Sequence, residues 1–281
     1  MGSRQHFIRI FNTRIFPRII LIIMAIIFIL PFYWMIITSI KSLEELQRIP
    51  PTIIPRSFHW ENYGYAVNTI PFFLFLRNSM ILTVSAVIGA VISNSLVSYS
   101  VARINWKGRE HLFYIIIATM FLPFPVILVA VFDIFARFRM INTFWPLIIP
   151  YCVGSATHIF MMRQYLLSIP LEISDAGFID GANEFQIFFK LILPIMQPVI
   201  AVVAIFTALN AWSDFLGPLL YLQREALYPL SIGLQFFRST HRIEYSQLMA
   251  ASTLVALPVV LIFICFQRFF VEGITVGAVK G

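Results

Sequence analysis

Six stretches of this chain run for more than 20 residues without a single Asp, Glu, Lys or Arg: 19–40, 78–102, 112–132, 140–162, 191–213 and 245–267. A hydrocarbon layer about 30 Å thick needs about 20 apolar residues of helix, at about 1.5 Å each. All six reach that length, and the next charge-free gap, 62–76, does not. The spacing predicts an all-α membrane protein with six transmembrane helices, over about 19–40, 79–101, 112–132, 143–162, 193–213 and 247–268, in one transmembrane domain covering 1–281. A closed β-barrel would instead show alternating segments of about 10 residues, and none is visible. Composition agrees: 59% of the residues are apolar and 12% charged, where soluble chains run about 45–50% and about 25%. Disorder and a soluble two-domain enzyme are both excluded. The net charge of +7 is not a nucleic-acid signature, because no basic run is interleaved with aromatics in a polar context. It reads as an orientation signal in a lipid bilayer.

Arg4, Arg9, Arg14 and Arg18 precede the first span with no acid among them, which places the N-terminus in the cytoplasm. The apolar core from Ile19 to Ile40 is too long for a removable signal peptide and is read as a signal anchor. An even number of spans then returns the C-terminus to the cytoplasm. The short 102–112 turn, with Arg103, Lys107 and Arg109, agrees. Cys152 and Cys265 both fall in spans and form no framework. The five histidines (6, 59, 111, 158 and 241) lack ligand spacing, so no metal site is expected.

Three connections are long: 41–77 and 214–244, which face outward in this topology, and 163–190, which faces the cytoplasm. The first carries Pro50, Pro51, Pro55 and Pro71 and reads as extended or turn-rich. Its aromatics Phe58, Trp60 and Tyr63 suit either an interfacial belt or a docking surface. The cytoplasmic connection is the most shaped. Pro170 suits the first turn of a helix, and Glu172, Ala176 and Asp180 then share one face. Gly181 fits a left-handed cap, and Asn183 with Gln186 has capping-box spacing for a second helix. Ala176, Gly177, Gly181 and Ala182 leave the corner low enough for another backbone to approach, flanked by Glu172, Asp175, Asp180 and Glu184. These residues suit either a solvated amphipathic connector or a knob that fits a socket on another protein.

The same loop carries a resemblance. Asp175-Ala176-Gly177-Phe178-Ile179-Asp180-Gly181-Ala182, followed by Leu191-Ile192-Leu193-Pro194, resembles the Glu-Ala-Ala-x-x-Asp-Gly-Ala…hydrophobic-x-Leu-Pro loop of the permease subunits of binding-protein-dependent (type I) ABC importers. The motif's Glu is shortened here to Asp175, and its second Ala is Gly177. Trp60-Glu61-Asn62-Tyr63, Trp212-Ser213-Asp214-Phe215-Leu216-Gly217-Pro218-Leu219 and the block from Leu248 to Gly281 are similar to the MalG-like, oligosaccharide-carrying branch. The resemblance implies an ABC importer permease fold. It also implies a coupling role toward an ATPase for Glu172, Asp175, Ala176, Gly177, Asp180, Gly181, Ala182 and Glu184, within a 170–194 loop. It implies as partners a homologous second permease subunit, two cytoplasmic ATP-binding subunits and an extracytoplasmic sugar-binding protein. The chain has no Gly-x-x-x-x-Gly-Lys-Ser/Thr, so ATP and Mg are expected on the partner ATPase, with no cofactor and no catalytic residue in this chain.

Within the spans, polar residues mark a substrate pathway or hydrogen-bonded helix packing: Asn94, Thr157, His158 and Asn210, with Ser93, Ser95, Ser98, Thr119, Ser155 and Thr207. Pro123, Pro125, Pro194 and Pro198 should kink spans three and five, as hinges or as packing features. Asp133 and Arg137 read as a surface ion pair. The reading is a permease subunit forming half the pathway of an ATP-driven oligosaccharide importer at a prokaryotic cell membrane. Its alternative within transport is a polyol or glycerol-phosphate-type solute. An intramembrane enzyme using Ser155 and His158, or an ion channel, are the readings from other classes.

Overall fold

Residues 15–237 and 245–278 are described in this computed structural model, and the backbone is helical wherever it is regular. Arg4, Arg9 and Arg14, residues 238–244 and the chain from Val279 lie outside the described residues. The chain divides into two compact units, Met1–Pro71 with Leu234–Ala256 and Phe72–Gly233 with Leu257–Gly281.

In the first unit, α1 (Phe16–Ser39) opens with Pro17 in its first turn, where a missing N–H costs nothing. Its side chains from Phe16 to Trp34 stand exposed nearly without interruption, Phe28 at 71%. A helix that is apolar all round and unburied is a rod for hydrocarbon. Its last residues are covered by the proline-rich segment, which is more folded than its composition implies. Lys41, only 2% exposed, donates to the Thr52 carbonyl and lies 4.9 Å from the Trp34 ring. Glu45, in α2 (Leu43–Leu46), accepts from the Thr52 hydroxyl at 2.5 Å and the Arg56 N–H at 3.1 Å. The Asn62 amide, in α3 (Glu61–Thr69), donates to the carbonyls of Ser39 at 2.9 Å and Lys41 at 3.1 Å. A buried amine, a carboxylate and an amide thus replace the water this backbone would otherwise need.

The second unit is built on α4 (Phe72–Ala102), which starts a full turn before Arg77 because a charge alone does not end a helix. After a corner at Gly108 (φ +94°) come α5 (Arg109–Ala118), a 3₁₀ turn and α6 (Phe124–Arg137). The two halves of this third apolar stretch meet at 106°. That is a break, not the kink expected from Pro123 and Pro125: Leu122, held extended before a proline, interrupts the ladder. Asp133 and Arg137 do pair, at 2.8 Å.

α7 (Trp145–Val153) and α8 (Ala156–Ser168) are separated at Gly154, φ +97°. Beyond α9 (Glu172–Ile179), α10 (Glu184–Ile195) contains a π segment, Ile187–Ile192, and meets α11 (Gln197–Ser213) at 77° beside Pro194 and Pro198. The short α12 (Leu216–Tyr221) follows, and α13 (Tyr245–Ala278) ends the described chain. Among the described residues, four stretches are long and apolar enough to cross a bilayer, namely α1, α4, α7 with α8 taken together, and α13, and counting each bent pair as one crossing gives six. Packed against α4 are α7, α8 and α11.

α8 continues past the charge-free stretch because Arg163 is 9% exposed and fully engaged. Its Nη2 donates to both Glu110 oxygens, at 2.8 and 2.9 Å, and its guanidinium lies 4.0 Å from the Phe113 ring. Its Nε donates to the Val101 carbonyl at 3.4 Å, so one side chain ties the end of α4 to the start of α5. Glu110→Ala leaves this charge without its counter-ion. Because the carboxylate is 44% exposed, the loss should be about 2 kcal/mol, below the cost for a fully buried pair. Thermal melting of the purified protein measures it, and an unchanged midpoint contradicts the role given to Arg163.

The Thr52 hydrogen bond holds the Glu45 carboxyl below its ordinary range; burial opposes this, while the Arg56 N–H and the Lys41 charge add to it. A depressed carboxylate contributes stability above its unfolded pKa, and this is lost as pH falls through the folded value. The 41–63 segment should resist proteolysis better in the wild type than in Glu45→Gln at neutral pH. The difference should shrink as pH falls below the ordinary Glu value of about 4.3 and vanish once pH is under the depressed folded value.

Candidate functional site

The motif loop begins one helix earlier than its motif. The Arg103 guanidinium donates to the carbonyls of Leu166 at 2.9 Å, Ile169 at 2.6 Å and Pro170 at 3.3 Å, capping the end of α8. Pro170 therefore precedes the helix and is not in its first turn. α9 starts at Glu172, with the Leu171 carbonyl accepting from the N–H groups of Ser174 and Asp175. Gly181 closes the helix at φ +82°, with its N–H to the Phe178 carbonyl and the Ala182 N–H to the Gly177 carbonyl, both 3.0 Å. This is the left-handed cap its position suggested. The capping box forms as well: Asn183 Oδ1 accepts from Gln186 N–H at 2.9 Å, and Gln186 Oε1 from Asn183 N–H at 3.0 Å.

Burial divides the eight motif residues. Glu172, Asp175, Ala176, Asp180 and Gly181 are exposed. Gly177 is buried, and a Cβ there would lie 2.9 Å from Leu191 Cδ1 and 3.1 Å from Ile187 Cγ1. Its missing side chain lets α9 lie on α10. That corrects the expectation that it clears space for another protein. Ala182 packs on the same core, and Glu184 also turns inward, accepting from the Tyr99 hydroxyl at 2.8 Å. The Tyr99 ring sits 4.9 Å from Phe188. Around them Met162, Leu166, Ile187, Ile192 and Met196 are completely buried, so the loop is seated on the ends of α4, α8 and α11. The sequence reading overlooked an apolar rim beside the acids: Leu171, Phe178, Ile179 and Phe185 are exposed, Ile179 at 86% and Phe185 at 72%.

The second feature is a cavity of about 950 Å³, lined from α4, α6, α7, α8, α11 and α12. Asn94, Thr157, His158 and Asn210, chosen as pathway residues from the polarity of three separate stretches, all line it. They play different parts. Asn94 is completely buried: its amide donates to the Ala90 carbonyl at 2.6 Å and its oxygen accepts the Ser155 N–H at 2.8 Å. Ser93 donates to the Tyr151 carbonyl at 3.1 Å, and Ser98 to that of Ile159 at 3.2 Å. Asn94 and Ser93 of α4 thereby partner a Ser155 N–H and a Tyr151 carbonyl that the Gly154 break frees, while Ser98 ties α4 to the body of α8. Thr157 and Asn210 are exposed to the cavity, whereas His158 is buried with Nδ1 unpartnered among the described residues. No hydrogen bond joins Ser155 to His158 among the described residues. Thr119 lies elsewhere, bonded to the Ile116 carbonyl at 2.6 Å.

Two lining residues escaped the sequence reading, Tyr151 and Asp214. Asp214 counted as the start of an outer connection. It instead lines the cavity and accepts the Gly217 N–H at 3.0 Å, in the first turn of α12. Gly217 permits this, since a Cβ there would collide with the Asp214 carboxylate and come within 2.9 Å of Leu147 Cδ2. The signal was the Ser-Asp-x-x-Gly-Pro run itself, whose Asp and Gly are three apart.

Comparison with known proteins agrees with this geometry. Residues 94–276 match the family described as binding-protein-dependent transport system inner membrane component. The arabinooligosaccharides transport system permease protein AraQ of Halalkalibacterium halodurans is 34% identical over 92% of this chain and 93% of its own length. The sn-glycerol-3-phosphate transport system permease protein UgpE of Pectobacterium atrosepticum is 29% identical over 92% and 95%. A crystal structure of a bacterial ABC transporter involved in the import of the acidic polysaccharide alginate superposes with a TM-score of 0.81, over 93% of this chain and 97% of that chain, at 21% identity, and so shares the fold. This chain belongs to the family of binding-protein-dependent transport system inner membrane components: it is a multi-pass permease subunit of an ABC importer in the cell membrane.

Proposed function

We propose that the chain forms half of the translocation pathway for an oligosaccharide and is driven through its 170–194 loop by ATPase subunits on the cytoplasmic side. In this reading both termini are cytoplasmic, a homologous permease supplies the other half, and an extracytoplasmic sugar-binding protein delivers the solute. Two ATP-binding subunits hold ATP and Mg. The chain itself catalyses nothing; it transmits motion.

The observation that carries this reading is the division of the motif loop into two faces. Glu172, Asp175, Ala176 and Asp180 stand outward beside Phe178 and Ile179, available to a partner. On the inner side Gly177 lets α9 lie on α10, Ala182 packs on the buried core, and Glu184 ties α10 to α4. A push on the outer face is delivered to the spans because the inner face is close-packed and has no slack to absorb it.

Two substitutions separate contact from shape. Asp180→Lys reverses one exposed charge and leaves the backbone intact. Gly181→Pro forces φ to about −65° where +82° is needed and removes the N–H bonded to Phe178. Both should insert normally, yet lose co-purification of the ATPase or lower ATP-driven uptake by about tenfold or more. Coupled transport at the wild-type rate in both variants contradicts the coupling role.

The solute has its own test. Relatives named for arabinooligosaccharides and for sn-glycerol-3-phosphate both resemble the chain. The assembled transporter in liposomes, supplied with its binding protein, should accumulate radiolabelled oligosaccharide in an ATP-dependent manner. Accumulation of glycerol phosphate or a polyol in its place selects the alternative.

A further inference from the structure

The cavity has a charge sign. Among its described lining residues no Lys or Arg occurs, and Asp214 is the one acid. The other ionisable groups there are His158, Tyr151 and Tyr221; an unshifted imidazole is mostly neutral at pH 7, and an unshifted phenol fully so. Asp214 accepts the Gly217 N–H at Oδ1 and is also bonded by the Leu216 N–H, and Tyr151 stands close enough to interact with it electrostatically. Asn210 and Thr157 present uncommitted polar groups to the same space, and the imidazole Nδ1 of His158 is nine-tenths buried without a partner. Phe206 and Phe215 add aromatic side chains to the lining.

We infer that Asp214, with Tyr151 and Asn210, forms a subsite for uncharged, hydroxyl-rich solutes, and that its carboxylate turns away anions such as phosphate esters. The chemistry follows from the groups present. A carboxylate accepts hydrogen bonds from sugar hydroxyls, an amide and a phenol both donate and accept, and aromatic faces cover the apolar faces of sugar rings. A second negative charge entering a walled cavity meets repulsion that water screens poorly. This inference rests on the pathway reading above and narrows it, by setting the oligosaccharide apart from glycerol phosphate within this subunit.

The local potential can be read without knowing the solute. In the assembled transporter, with Cys152 and Cys265 replaced by Ala, Asn210→Cys and Thr157→Cys serve in turn as reporters. Each is treated with a cationic and an anionic methanethiosulfonate of similar size. The cationic reagent should react faster by about tenfold or more, after normalisation to the rates with a free thiol. Adding Asp214→Asn, or Asp214→Ser, each keeping an acceptor for the Gly217 N–H, should bring the ratio close to one. Reaction with both reagents at a ratio that Asp214 substitution leaves unchanged overturns this inference and spares the pathway reading. No reaction with either reagent at either reporter overturns the pathway reading and this inference with it.

Discussion

A backbone in hydrocarbon must satisfy its N–H and C=O groups within the protein, and at the break between α7 and α8 side chains of α4, Asn94 foremost, contribute to that. Its oxygen takes the Ser155 N–H and its amide takes the Ala90 carbonyl, with no exposed surface left. Ser93 and Ser98 add bonds to carbonyls on either side of Gly154. A helix interrupted at that depth would otherwise leave unpaired polar groups, each costing several kcal/mol by order of magnitude. Because α4 supplies partners there, the chain can interrupt its helix beside a cavity and remain a membrane structure.

The same helix then links the two functional regions. Its middle holds the cavity wall, and its end holds the motif loop through Tyr99, which bonds Glu184 and packs on Phe188. Just beyond, Arg103 takes three carbonyls at the end of α8, and Arg163 returns from α8 to Glu110 and Val101. Charges cluster here and not in the apolar middles of the helices. Paired arginines can sit at a membrane boundary with their stems in apolar surroundings, and their forked donors fit carbonyls and carboxylates. The loop is therefore held to α4 and α8 together.

Much of this was legible from residue order. Gly181 was read as a left-handed cap and Asn183 with Gln186 as a capping box, because capping depends on groups within three or four residues. Gly177 was misread, since its small size serves Ile187 and Leu191, ten or more residues away and brought back by the corner at Gly181. Glu184 was grouped with the outward acids, although Tyr99, 85 residues earlier, claims it. Asp214 was missed because a charge at the edge of an apolar run looks like the start of a loop. The polar span residues were recognised as a set, but their division into Asn94 as a structural tie and Thr157 and Asn210 as cavity groups depends on which carbonyls stand opposite.

By itself, the sequence determined that this is an all-helical membrane chain with a shaped, acid-bearing loop. Long apolar runs and local capping follow from chemistry between near neighbours and from the thickness of a bilayer. Only the tertiary structure decided that two of the apolar runs are broken through 106° and 77°, that the loop has an inner and an outer face, and that a single carboxylate gives the cavity its sign. Those properties depend on residues distant in sequence meeting in space, where burial and hydrogen-bond satisfaction, and not residue type, assign each side chain its task.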